Sequence, residues 1–163
     1  MKASKKIITY IVIILVMSLI SSLSTYAQSK EDTLSELSVG YKGVKWGATK
    51  EEFLSIRPGI DLDHSSEDFL GYEVDEVYYR FVESTGEWSK LGINTSNRAT
   101  WNSIISELER AFPRVSETQT ENGMILIKLE KGDIRIWCLL TPGGTNSTIQ
   151  IFNTVYDDSS GYE

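Results

Sequence analysis

The chain has 163 residues, 40% of them hydrophobic, with 16 Lys and Arg against 23 Asp and Glu for a formal net charge of −7. That is enough chain for one domain with its own core, and too acidic a balance for a net attraction to nucleic acid or anionic lipid. With Cys138 as the one cysteine there is no internal disulfide, so the fold must rest on its core.

Lys2, Lys5 and Lys6 precede an apolar run from Ile7 to Ile20 and a small polar segment ending Thr25-Tyr26-Ala27. This is the three-part pattern of a secretory signal peptide, with cleavage expected after Ala27. The apolar core, about 14 residues, is shorter than the ~20 that a membrane span needs, so no stable span is expected once the signal is removed. Removing three lysines from 16 basic residues leaves 13 against 23 acidic ones, a mature balance of −10. Residues 28–36 are polar and aperiodic and read as a flexible leader.

Leu37–Val44 reads as a first strand broken by Gly40 and Gly43. Thr49 with Glu52 three residues on is a capping box, with Ala48 and Phe53 placed to form its staple. It opens a short helix over 49–56 that ends before Pro58-Gly59 and has a narrow apolar face suited to a sheet edge. Residues 59–71 form an acidic loop. Val74–Val82 and Trp88–Thr95 are two strands joined by a glycine-containing hairpin loop. Trp101, Ile104, Ile105, Leu108 and Phe112 then recur at helical spacing on one face. Thr100 is placed to cap this helix and Pro113 to stop it. Ser116–Asn122 reads as a polar connection. Met124–Leu129, Asp133–Leu140 and Thr148–Tyr156 are three further strands, turned at Lys131-Gly132 and Pro142-Gly143-Gly144. The expected fold is α+β, an antiparallel sheet of five to six strands with two helices packed on one face. The expected organisation is a signal peptide over 1–27, the leader over 28–36, one domain over 37–156 and a disordered tail over 157–163.

Gly43-Val44-Lys45-Trp46-Gly47-Ala48-Thr49-Lys50-Glu51-Glu52-Phe53 resembles the G-x-x-W-G-x-[ST]-x-x-[ED]-[VF] opening of many small secreted bacterial domains. The helix-plus-hairpin order is similar to that of beta-lactamase inhibitor protein and of small outer-membrane assembly lipoproteins. The chain lacks the lipobox of the latter and the paired cysteines of the former. The resemblance implies a protein-binding scaffold in the cell envelope and carries no catalytic residue.

Residue chemistry points the same way. Asp61, Asp63, Glu67 and Asp68 alternate as calcium-loop ligands do, but Ser66 stands where that loop needs glycine and Tyr72 where it needs glutamate. A solvated acidic loop is the better reading. One histidine and one cysteine do not supply the about four ligands of structural zinc. No nucleophile elbow or phosphate loop occurs, so neither a metal nor a cofactor is expected. Strand parity is more informative. With Ile134, Ile136, Cys138 and Leu140 facing the helices, Arg135 and Trp137 face the other way, with Leu139. The same parity sends Tyr78, Arg80, Lys128, Phe152 and Tyr156 outward. Such rings and basic stems stabilise an exposed sheet face on their own; Trp, Tyr and Arg are also the residues enriched at binding hot spots. The expected binding surface is this face together with Trp88 at its hairpin end. The expected role is a non-enzymatic one: an exported protein, periplasmic or secreted, contacting an envelope protein or extracellular polymer. A carboxylate-dependent hydrolase or a purely structural envelope component are the alternatives.

Overall fold

The computed structural model describes residues 2–144 and 146–157. The chain divides into two compact units, Met1–Asp32 and Thr33–Glu163. The first lies in helix α1, Lys2–Glu36, whose segment Ile11–Glu36 is long and apolar enough to cross a membrane and lies near the N-terminus, as a signal sequence does. Residues 28–36 are therefore helical rather than a loose leader. Leu34 and Leu37, at 3% and 0% exposure, are part of the core of the second unit, and that burial is the reason the backbone stays ordered there.

The second unit is an α+β fold. In chain order it holds β1 (Gly40–Tyr41), β2 (Val44–Lys45), α2 (Lys50–Ile56), β3 (Glu76–Phe81), β4 (Trp88–Thr95), α3 (Arg98–Ala111), β5 (Arg114–Gln119), β6 (Ile125–Lys131), β7 (Ile134–Leu140) and β8 (Ser147–Asn153). The expected first strand is instead a miniature hairpin, β1 with β2, turned by Lys42 and Gly43 at φ 48° and 81°. The other six strands form one antiparallel sheet in the order β3-β4-β8-β7-β6-β5. α3 carries the chain from β4 to the far edge, and a meander of three hairpins brings it back until β8 fills the place beside β4.

Two helices pack on one face of this sheet. α3 buries Trp101, Ile104, Ile105 and Leu108 against a core that includes Ile93, Ile136, Cys138 and Ile149. Its cap is Asn97, which accepts from the N–H groups of Ala99 and Thr100 at 2.9 and 3.1 Å. The helix thus begins a turn earlier than Thr100, because Asn97 sits where the chain leaves β4 and is an equally strong cap. Phe53 of α2 lies edge-on to Tyr79, Phe81 and Trp88 at 4.8, 5.6 and 5.3 Å, which fixes that helix over the β3–β4 edge.

The W-G motif explains itself as architecture. Trp46 stacks on Trp88 at 4.1 Å and donates from Nε1 to the Leu37 carbonyl at 2.9 Å. Gly47 adopts φ +81°, and a Cβ there would lie 2.5 Å from the Tyr156 ring. Its N–H donates to the Trp88 carbonyl, while Trp88 donates to the Ala48 carbonyl, both at 2.9 Å. Thr49 then caps α2 with both bonds of the capping box in place, 3.2 Å to the Glu52 N–H and 2.9 Å from Thr49 N–H to the Glu52 carboxylate.

The two edges of the sheet are treated differently. On the β3 edge, Ser65 exchanges backbone bonds with Val77 at 2.8 and 2.9 Å, and Tyr79 donates to the Leu62 carbonyl at 2.8 Å. The acidic loop thereby seals that edge. It is held by Glu67, whose Oε1 accepts from Ser65 at 2.6 Å and Tyr79 at 2.8 Å, and whose Oε2 accepts from Arg57 at 2.5 Å and from Lys42. Burial by itself would raise the Glu67 carboxyl; the bonds from Lys42, Ser65, Arg57 and Tyr79 outweigh it and hold the group at about 2. The β5 edge has no such cover among the described residues, and all six of its residues are exposed. β5 itself is a strand where a polar connection was expected.

Candidate functional site

The face of the sheet away from α2 and α3 is a grid set by strand register. One row runs Tyr78, Gly92, Gln150, Trp137, Lys128, and the next Arg80, Lys90, Phe152, Arg135, Glu130. Six of the expected residues (Tyr78, Arg80, Lys128, Arg135, Trp137 and Phe152) therefore do share this face. Phe152 packs edge-on to Trp137 at 5.1 Å and is only 5% exposed. Each ring is met by a cation: Arg80 lies 5.0 Å from the Tyr78 ring, Lys128 lies 5.2 Å from Trp137, and Lys90 lies 5.7 Å from Phe152. Beside the rings, Leu126 and Leu139 with Trp137, Thr148 and Gln150 line a mostly apolar depression of 260 Å³.

Tyr78 occupies its place because position 92 is glycine. A Cβ on Gly92 would stand 1.9 Å from the Tyr78 ring, so the ring lies directly over the Gly92 backbone. The Tyr78 hydroxyl then accepts from the Gln150 amide at 3.3 Å. Lys90, absent from the residues expected here, joins them because it lies opposite Arg80 and Phe152; β4 parity with Leu91 and Ile93 inward would have found it.

Two expected residues lie elsewhere. Trp88 is fully buried on the helix side. Arg80 pairs with Lys90 but Phe81 pairs with Trp88, so a bulge at Ser89 breaks the alternation and turns the indole into the core. Tyr156 packs on the core against Gly47. β8 ends at Asn153, and a turn closed by the Tyr156 and Asp157 N–H groups on the Asn153 carbonyl carries the ring out of strand parity.

The other candidate groups have local partners. Asp61 accepts from the backbone of Asp63 and His64 at 2.9 and 3.1 Å, and Asp63 pairs with Arg80. His64 is exposed and pairs with Glu76, which holds the imidazole above its ordinary value. Among the described residues no three His, Cys, Asp or Glu side chains converge as a metal site requires. Cys138 is buried on β7, and that burial pushes its thiol well up, away from the reactive thiolate.

The arrangement at these residues is thus a shallow aromatic and basic face on an α+β domain. Comparison with protein-family models, with curated proteins and with solved structures finds no match to this chain.

Proposed function

We propose that this is an exported, non-enzymatic binding protein of the bacterial cell envelope, periplasmic or secreted, which contacts a partner through the open sheet face. The observation that carries the reading is the Trp137–Phe152 pair, with Lys90, Lys128 and Arg135 around it. A ring cluster with a cationic rim, on a chain of net charge −7, concentrates positive potential on one surface. Such a surface selects an acidic partner and speeds its encounter. The indole and its neighbouring depression supply the desolvated anchor that binding hot spots share. The N-terminal apolar helix agrees with an export signal.

The test is a pull-down from the native envelope fraction with the wild-type chain beside an Arg135→Glu, Trp137→Ala double variant, both checked for folding by circular dichroism. A protein or polymer retained by the wild type and lost by the folded variant supports the reading. Equal recovery by the two removes this face from consideration, and no recovery by either moves the weight to a hydrolase or a purely structural component.

A further inference from the structure

Strand register makes the open face directional. The depression beside Trp137 lies between the row that holds Trp137 and Gln150 and the row that holds Thr148, Leu139 and Leu126. Its 260 Å³ is below the usual range for a whole small-molecule ligand and suits one large side chain. The cations stand at the indole and beyond it. Lys128 is directly opposite Trp137 on β6, Arg135 is one row further along β7, and Lys90 is across Phe152 from Arg135. Glu130 lies 3.7 Å from Arg135 in a solvent-exposed contact, too weak to cancel three cations. In the opposite direction the face is acidic, with Glu76 on the row of Asn94 and Thr148. An apolar socket therefore adjoins a cationic end, and the indole is the wall between them.

The lining of the socket selects among occupants. Leu126, Leu139 and Trp137 are half-buried, and the two polar groups beside them have partners on the sheet. The Thr148 hydroxyl donates to Asn94 Oδ1 at 2.9 Å, and the Gln150 amide donates to the Tyr78 hydroxyl at 3.3 Å. A sugar ring seated here would press hydroxyls against leucine and indole, where they lose water without gaining partners. A second copy of this face would set Lys90, Lys128 and Arg135 against their own kind, which like charge disfavours. An aliphatic side chain has no polar group to desolvate and is stabilised by leaving water. Side chains two apart on a strand are about 7 Å apart, so Arg135 is about 10 Å from the middle of the socket, or about three residues of an extended chain.

We propose that the open face binds an extended acidic peptide segment of a partner protein, with one large aliphatic residue in the depression beside Trp137 and carboxylates two or three residues along it at Lys128, Arg135 and Lys90. This rests on the open face being the contact surface, and it adds the class of partner, a linear protein segment rather than a sugar polymer. Lys128 is already held 5.2 Å from the Trp137 ring, so less side-chain freedom is lost when a carboxylate arrives.

The probe is an acetylated and amidated heptapeptide with leucine at its centre, a serine on each side and two glutamates at each end, so that either chain direction brings acids to the cations. Binding to the protein purified as the cell produces it is followed at the Trp137 indole N–H in ¹⁵N–¹H correlation spectra, the resonance being assigned by its loss in Trp137→Phe. The heptapeptide should shift this resonance saturably. Alanine in place of its leucine should weaken binding about tenfold, and glutamine in place of its glutamates should weaken it as much. A Lys128→Glu, Arg135→Glu double variant, folded by circular dichroism, should lose the glutamate peptide and bind a lysine-for-glutamate peptide instead. The proposal is overturned if the heptapeptide does not saturate the shift, if its alanine or glutamine version binds as well, or if the folded double variant binds it undiminished. It is equally overturned if trigalacturonate saturates the shift and the heptapeptide does not, which assigns the face to acidic glycans, or if protein concentration alone moves the resonance, which assigns it to a second copy. Failure of the heptapeptide beside a pull-down partner that Arg135→Glu, Trp137→Ala loses removes the peptide and keeps the surface; failure of both removes the surface.

Discussion

Replacing Glu67 by glutamine tests how the acidic loop is held over the β3 edge. The carboxylate is 11% exposed and accepts from Lys42, Arg57, Ser65 and Tyr79. Its pKa lies at about 2 against 4.5 for an ordinary glutamate. At about 1.4 kcal/mol per unit this bounds the charge's contribution at about 3 kcal/mol. Glutamine keeps an acceptor for Ser65 and Tyr79 but leaves Lys42 and Arg57 without their anion, so the expected loss at neutral pH is about 2 kcal/mol. In a unit of about 130 residues that lowers Tm by about 7 °C. The folded-state pKa is depressed, so this stabilisation is fully present above pH about 4.5 and is lost as pH falls toward about 2. Thermal unfolding followed by circular dichroism at pH 7, 5, 3.5 and 2.5 should therefore show the two proteins converging, because a protonated Glu67 is nearly the shape and charge of glutamine. A gap that stays constant across that range, or no gap at pH 7, would refute the network's role.

Trp88→Ala should cost about 3–5 kcal/mol by urea unfolding, the cost of emptying a core site, whereas Trp137→Ala on the half-buried face should cost less than half of that. Gly92→Ala should destabilise by about 1–2 kcal/mol because its new methyl displaces the Tyr78 ring. In a Tyr78→Ala background that penalty should largely vanish, a coupling that a double-mutant cycle measures directly. Cys138 should resist iodoacetamide in the native protein and react only as the chain unfolds, so its alkylation rate should rise in step with the unfolded fraction in urea.

The parts legible in the sequence were those in which one physical signal dominates. The spacing of Trp101, Ile104, Ile105 and Leu108 defines α3, and Thr49 with Glu52 defines the start of α2. Alternation along β6, β7 and the body of β8 places Lys128, Trp137, Arg135 and Phe152 on one face. What escaped was local geometry that periodicity does not encode. Arg114–Gln119 is exposed on both faces, so no alternation marks β5 as a strand. The bulge at Ser89 reverses Trp88, and the turn at Asn153 removes Tyr156 from the strand it follows.

The unequal edges of the sheet have a consequence for assembly. A row of unpaired backbone groups on an edge strand is a template for another strand. Here the Leu62–Ser65 segment occupies one side, so among the described residues β5 is the edge left open to recruitment. If two copies were to join through that strand, both outward borders of the enlarged sheet would be the sealed ones. Growth would stop at a pair, and the same loop that Glu67 anchors would be the terminator that keeps an edge-to-edge contact from becoming a fibre.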